Sequence, residues 1–339
     1  MRAIGYQKSL PATDPAALQD IDLPRPKATG RDLLVRVAAV SVNPVDTKIR
    51  KRAEPAPGDW KVLGFDAAGV VEEVGPEVTL FRPGDRVFYA GSNIRPGTNQ
   101  EFHLVDERIT GPMPTSLDFA AAAALPLTAI TAWEALFDRL DVAREVATGG
   151  TARSILIVGG AGGVGSIAVQ LARQLTDLTV ISTASRPETV DWVRRMGAHH
   201  VIDHSRPMAP QLAELGLPAP HDVFSTTHTD HHIADIIALI APMGRIAVID
   251  DDVSFDPKLL KPKCLSLHWE MMFARAVFQT PDMQAQHELL ARVAAMIDAG
   301  ELTSTLAETF GPISAENLRR AHAQIESGTT RGKIVLSEF

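Results

Sequence analysis

The sequence has 339 residues, of which 45% are hydrophobic and 22% charged, the composition of an ordinary globular protein; that length suits about two domains. Its net charge of −8 at pH 7 supplies no basic surface for nucleic acid or an anionic membrane, so neither is an expected partner. The single cysteine, Cys264, excludes an internal disulfide and a cysteine-built zinc site. It is expected as a small buried hydrophobe in a strand. The opening residues from Met1 to Tyr6 lack the apolar core of a signal peptide, and the uncharged run 119–133 is short for a membrane span and interrupted by Pro126. The expected location is the cytoplasm.

The first third reads as β-rich. Strands are expected at 33–40, 67–74 and 86–89, each bounded by turn residues such as Gly75-Pro76 and Pro83-Gly84-Asp85. Short strands at that rhythm suggest a small, irregular barrel. Thr115 to Asp118 resembles a capping box opening an alanine-rich helix through Ala124, and a second helix is expected at 128–140. Residues 144–153 read as a solvated loop.

From there strands and helices alternate: strands at 154–158, 179–183, 200–203, 222–225, 245–249 and 264–267, with helices at 187–196 and 233–241. This is the rhythm of a doubly wound parallel sheet, giving an α/β fold class. A helix at 283–299, a strand at 306–310, a helix at 315–325 and a strand at 333–336 close the chain.

The strand at 154–158 runs directly into glycines. Gly160, Gly162 and Gly165 have the G-x-G-x-x-G spacing, which permits a tight turn and close approach of backbone to a pyrophosphate. Val164, Ile167, Ala168, Leu171 and Leu175 then recur at helical spacing, so an amphipathic helix follows and directs its N-terminal N–H groups at the anion. About 20 residues past such a motif, an acid normally binds the ribose 2′-hydroxyl of NAD. Here Ser185 and Arg186 stand there, with no carboxylate before Glu188. The cofactor is therefore expected to be NADP(H), its 2′-phosphate met by Ser185 and Arg186; Ser185 can also cap the next helix.

With these residues in view, the chain resembles the medium-chain dehydrogenase/reductase superfamily. It is similar to its zinc-free quinone oxidoreductase branch, near the zinc-type alcohol dehydrogenase-like proteins. The markers are Ser41-Val-Asn-Pro-Val-Asp46, Leu63-Gly-Phe-Asp66 continuing to Gly75, Pro83-Gly-Asp-Arg-Val-Phe88, Pro126-Leu-Thr-Ala-Ile-Thr-Ala-Trp-Glu134, the glycine loop, Gly197-Ala198 and Gly332-Lys-Ile-Val335. The resemblance implies a GroES-like catalytic domain at 1–126 and 300–339, a Rossmann NADP(H)-binding domain at 127–299, and a homodimer. Zinc-dependent members carry a cysteine where this chain has Asn43 and Gly-His-Glu where it has Gly64-Phe65-Asp66, so no metal is expected. Seven histidines between His199 and His232 are read as exposed loop and cap residues rather than a metal site.

The resemblance further implies Gly160, Ala161, Gly162, Gly163 and Val164 on the pyrophosphate, and His228 with Thr229 near the nicotinamide-side ribose. It implies Ile249 and Asp250 beside the nicotinamide, Thr128 near its carboxamide and Lys333 near the pyrophosphate. Asn43 is the candidate donor to a substrate carbonyl, Lys48 a nearby positive charge, and Asp46 a residue that orders their loop. Tyr89 is either a proton donor or a buried structural hydroxyl, and solvent is the other proton source. The expected activity is NADPH-dependent hydride transfer to a quinone or α,β-unsaturated carbonyl without zinc. The alternatives are a reductase of another carbonyl class and a structural or regulatory NADPH-binding protein.

Overall fold

The computed structural model describes residues 1–143, 153–251 and 253–339, so nearly all of the expected loop at 144–153, and Asp252, lie outside the described residues. The chain forms two compact units, Met1–Ile130 with Phe273–Phe339, and Thr131–Met272.

The first unit begins with β1 (Arg2–Tyr6), β2 (Gln19–Asp22), β3 (Asp32–Val42), α1 (Pro44–Arg52), β4 (Lys61–Val62), β5 (Ala67–Val74), β6 (Arg86–Tyr89), β7 (Phe102–Asp106) and β8 (Thr110–Pro112). β1 pairs with β2 and β4 in a small antiparallel sheet. β3 is the spine of the larger one, pairing with β5 and β7. Leu33, Leu34, Val35 and Val40 on it are wholly buried, each removal from water contributing about 1.5–3 kcal/mol. Next come α2 (Phe119–Ala123) and α3 (Pro126–Trp133), in which the chain passes from the first unit to the second, and then a π-helical turn at Glu134–Arg139 in the second unit. The stretch Phe119–Arg139 is long and apolar enough to cross a membrane, but most of its residues are packed inside the protein. Asp118 caps α2 by accepting from the Ala121 N–H at 2.7 Å, in place of the expected Thr115. Thr115 is drawn away because it and Ser116 bind the Asp298 carboxylate.

The second unit alternates β9 (Ser154–Val158), α4 (Gly163–Leu175), β10 (Thr179–Thr183), α5 (Pro187–Arg195), β11 (His200–Ile202), α6 (Met208–Glu214), β12 (Asp222–Ser225), α7 (Thr229–Leu239), β13 (Arg245–Val248) and β14 (Ser266–Trp269). All strands are parallel, in the order β11-β10-β9-β12-β13-β14. β9 is a continuous apolar run because both faces of a parallel sheet are covered. Leu156, Val158, Ile181, Val223, Ile233 and Ile236 form its core with α6 and α7. Chain order reverses between β9 and β12, leaving the crevice at the C-terminal strand ends where such sheets bind ligands. The last strand starts two residues later than expected, since the Leu265 N–H closes back on Leu260 O after a 3₁₀ segment at Pro257–Lys263. Cys264 is accordingly exposed, in a left-handed conformation (φ 51°), and not a buried strand residue.

α8 (Ala274–Phe278), α9 (Ala285–Asp298), β15 (Leu306–Thr309), α10 (Ala315–Glu326) and β16 (Lys333–Ser337) return to the first unit. β16 pairs with β3, Ile334 opposite Val42, and β15 lies beyond it. The boundary near 272 precedes the 299 expected from sequence. The physical reason is α9: His287 Nδ1 bonds to Thr110 O at 2.7 Å, and Leu290 packs against Gly111 so closely that a Cβ there would collide with it.

Leu156→Ala is expected to lower unfolding free energy by about 2–5 kcal/mol, read as a reduced denaturant midpoint for the transition of the second unit.

Candidate functional site

In the first unit, the tail of β3 delivers Asn43 to the start of α1. There the Asp46 carboxylate accepts from the Asn43 N–H at 2.8 Å and from the Gly64 N–H at 2.9 Å, so Asp46 orders this loop as expected. Asp66, just before β5, accepts from Asn43 Nδ2 and from the Leu127 N–H, each at 2.7 Å. Lys333, the first residue of β16, completes the cluster. Its Nζ donates to Val42 O at 3.0 Å, to Asp66 Oδ2 at 3.1 Å and to Asn43 Oδ1. All four side chains are buried, none more than 3% exposed. Burial pushes Asp66 up and Lys333 down, each opposed by the charge of the other. Burial also pushes Asp46 from 3.8 to about 7, partly offset by its two N–H donors and Lys333.

These contacts revise several expected roles. Lys333 is not open to a pyrophosphate, because the three donors of an ammonium already have acceptors. Asn43 directs its amide hydrogens at Asp66 and Ser41 O, not outward to a substrate carbonyl. Tyr89 is wholly buried, stacked on His103 with ring centroids 5.4 Å apart. His103 Nε2 lies 3.0 Å from Pro96 O and so carries its hydrogen, leaving Nδ1 to accept the Tyr89 hydroxyl at 3.2 Å. Burial holds Tyr89 well above the ordinary tyrosine value, so of its two readings the structural hydroxyl fits. Thr128 donates its hydroxyl to Leu125 O at 3.1 Å. Lys48 is half-buried on α1.

The arrangement does not suit zinc. Phe65, at the position of a histidine ligand, is buried edge-on against Phe273. Asn43, at the position of a cysteine, touches an ammonium that would repel a divalent ion in dry surroundings. Among the described residues, no group of three His, Cys, Asp or Glu is placed to hold a metal.

In the second unit, the expected cofactor residues converge on the C-terminal strand ends. A Cβ on Gly160 would collide with Ser182 Oγ, and one on Gly165 with Gly159 O, so glycine is required at both. Gly162 caps α4, with Gly163 and Val164 in its first turn and Ala161 before it, all partly accessible. Thr183, which sequence reasoning passed over, anchors this loop: Oγ1 accepts from the Gly159 N–H at 2.9 Å and its carbonyl from the Gly160 N–H at 3.1 Å. Its only sequence signal is being the last residue of the second strand. Ser185 is exposed, and Arg186, not Ser185, is the N-cap of α5, its guanidinium 3.4 Å from Glu188. Both are exposed enough for that pair to be weak.

His228, also exposed, caps α7 in a left-handed conformation (φ 47°). Asp250 accepts from the Thr229 N–H at 2.7 Å, which starts α7 four residues before the expected 233. Helix-end N–H groups neutralise part of its charge. Asp251 is exposed, and Ile249 is half-buried just beyond β13.

Replacing Lys333 by Met is expected to destabilise the protein by about 3–5 kcal/mol, because it strands a buried carboxylate. Adding Asp66→Asn should restore part of the loss in thermal midpoint. Asp46 binds its proton more tightly folded than unfolded, so it favours the fold below about pH 4 and that advantage fades as pH rises to about 7. The difference in melting temperature between wild type and Asp46→Asn should therefore change across this window, with the variant gaining relative to wild type as pH rises.

Residues 29–115 match the alcohol dehydrogenase GroES-like domain and residues 196–336 the zinc-binding dehydrogenase domain. The zinc-type alcohol dehydrogenase-like protein SAS2087 of Staphylococcus aureus (strain MSSA476) is 41% identical, covering 99% of this chain and 100% of that one. A Rhizobium etli CFN 42 structure bearing the name of a zinc-dependent alcohol dehydrogenase is 63% identical, with TM-score 0.96 over 100% of this chain and 98% of that one. The quinone oxidoreductase of Pseudomonas syringae pv. Tomato DC3000 is 26% identical, with TM-score 0.81 over 99% of both chains. With both domains matched in order and a relative this similar along its whole length, the chain belongs to the medium-chain dehydrogenase/reductase superfamily of oxidoreductases.

Proposed function

We propose that this protein is an NADPH-dependent reductase that transfers hydride to a quinone or an α,β-unsaturated carbonyl without zinc. The observation that carries this reading is the Lys333 ammonium buried against Asn43 and Asp66, where a catalytic metal would need free anionic or imidazole ligands. Without a Lewis acid, a simple ketone gains little activation. A conjugated acceptor needs less, since its developing charge spreads onto oxygen. The likeness to a quinone oxidoreductase supports the same substrate class.

Reduced nicotinamide supplies the hydride when bound. The chain's own residues do the holding. The glycine loop and the first turn of α4 receive the pyrophosphate, Ser185 and Arg186 receive the 2′-phosphate, and Thr183 fixes the loop from behind. Tyr89 and Asn43 are engaged internally, so solvent delivers the proton that follows hydride transfer, with Lys48 as the nearby positive charge.

A second copy of the chain is the proposed partner. Among the described residues β14 is one of the two edges of its sheet, and Trp269 and Met271 beside it are about half exposed (51% and 53%). Such an edge is usually covered. Light scattering should give about twice the 36.5 kDa chain mass, and a monomer mass would remove this proposal.

EDTA-treated protein is expected to oxidise NADPH with quinones or enones, and NADH or simple ketones far more slowly. Arg186→Glu should lower the NADPH-over-NADH preference in kcat/KM by at least about tenfold, the effect of losing one charge-assisted contact. Activity lost with EDTA and restored by zinc would overturn the metal-free reading, and tight NADPH binding without turnover would favour a non-enzymatic role.

A further inference from the structure

The glycine turn of the second unit is tied to α5 through a buried indole. Ser166, wholly buried in the first turns of α4, donates its hydroxyl to Gly162 O at 2.7 Å. Gly162 is the residue that caps α4 at the end of the glycine turn. Having given its hydrogen, Ser166 Oγ accepts the Trp192 indole N–H at 2.8 Å, and an indole nitrogen can only donate. Trp192 belongs to α5 and is 8% exposed. The next residue, Val193, has its Cγ2 3.2 Å from the place a Cβ on Gly160 would take. Two adjacent residues of α5 therefore brace the turn, one at Gly160 and one, through Ser166, at Gly162.

The start of α5 is held as closely to Arg186. The Arg186 N–H donates to Thr189 Oγ1 at 3.2 Å, and that hydroxyl donates to Arg186 O at 2.8 Å. The backbone of Arg186 is thus bound to the first turn of the helix, and Trp192 follows about 9 Å along the axis at 1.5 Å per residue. A helix over so short a distance moves as one piece. Burial accounts for the apolar body of the Trp192 ring, and its hydrogen bond to Ser166 gives the contact a direction. One rigid element thereby touches two places that a dinucleotide would occupy, which is the arrangement in which each can bias the other.

We propose that Trp192 is a positioning residue for the cofactor: α5 acts as a strut that carries occupancy of Arg186 to the glycine turn through the Trp192–Ser166–Gly162 bonds. Neither Trp192 nor Ser166 need touch the dinucleotide. An anion held at Arg186 fixes the start of α5, the helix fixes Trp192, and Ser166 then holds Gly162 O and with it the N–H groups of the turn in their receiving geometry. The phosphorylated dinucleotide gains this help and the unphosphorylated one does not. Part of the preference between the two cofactors is therefore a coupling between two parts of the chain, beyond the charge of Arg186 itself. The inference rests on the NADP(H) reading given above and adds a residue that never meets the ligand.

The test is calorimetric titration of the full-length protein with NADPH and with NADH. Trp192→Phe keeps an aromatic ring and removes the N–H. It should weaken NADPH by about three- to tenfold, the net worth of one hydrogen bond, and NADH by less than about twofold, so that the ratio of the two affinities falls. Added to Arg186→Ala, it should change that ratio no further, because the strut then has no anion to respond to. Ser166→Ala, which removes the acceptor, should lower the ratio as Trp192→Phe does and carries the test if the tryptophan variant fails to fold. Melting temperatures report on the fold, and Gln170 Nε2, 3.4 Å from Met196 Sδ, still joins α4 to the end of α5 in both variants. Equal weakening of NADPH and NADH, or a loss that multiplies with that of Arg186→Ala, overturns the strut while a wild-type preference for NADPH keeps the cofactor reading. Wild-type protein that binds NADPH no tighter than NADH overturns both.

Discussion

A buried ammonium, bonded to one carboxylate, an amide oxygen and a backbone carbonyl, ties the last strand of this chain to its first third. Lys333 opens the final strand, and its partners Asn43 and Asp66 come from the turn after β3 and the approach to β5. Charges in such surroundings persist only when every donor and acceptor has a partner, and here each does. The same contacts fix Asn43 at the mouth of α1 and leave its loop no freedom to present a ligand. Asn43 is thereby held as part of a buried structural lock.

The second unit meets a different constraint, a close approach of backbone to backbone at the turn after β9. Gly160 and Gly165 remove the side chains that would intrude on the first turn, and Thr183 ties that turn to the neighbouring strand. Because every strand runs the same way, the residues following β9, β10, β12 and β13 reach one edge.

Local patterning made the second unit legible. The apolar run of β9, its glycines and the amphipathic α4 carry their periodicity within a short window, and β10, β12 and β13 follow the same rhythm. α6 was passed over because Pro210 interrupts its pattern, and the displaced β14 because a 3₁₀ segment shifts its start. In the first unit β1, β2 and β7 went unrecognised, since short strands of a curved sheet take their identity from partners far away in sequence. The lock at Lys333 is of that kind. Nothing near residue 333 reveals that its partner is Asp66, 267 residues earlier. Tyr89 likewise depended on His103, whose tautomer is set by Pro96.

The pairing of β16 with β3 also bears on how the protein is made. During synthesis β3 emerges early and loses one of its neighbours for as long as the whole inserted second unit is being translated. Its edge is then an unpaired apolar template, the kind of surface that captures other chains. The second unit, all of whose strands lie within one continuous segment, is free to fold first. Completion of the first sheet then waits on one long-range closure, so its slowest step is expected to be the docking of the last few residues and not the formation of any strand that precedes them.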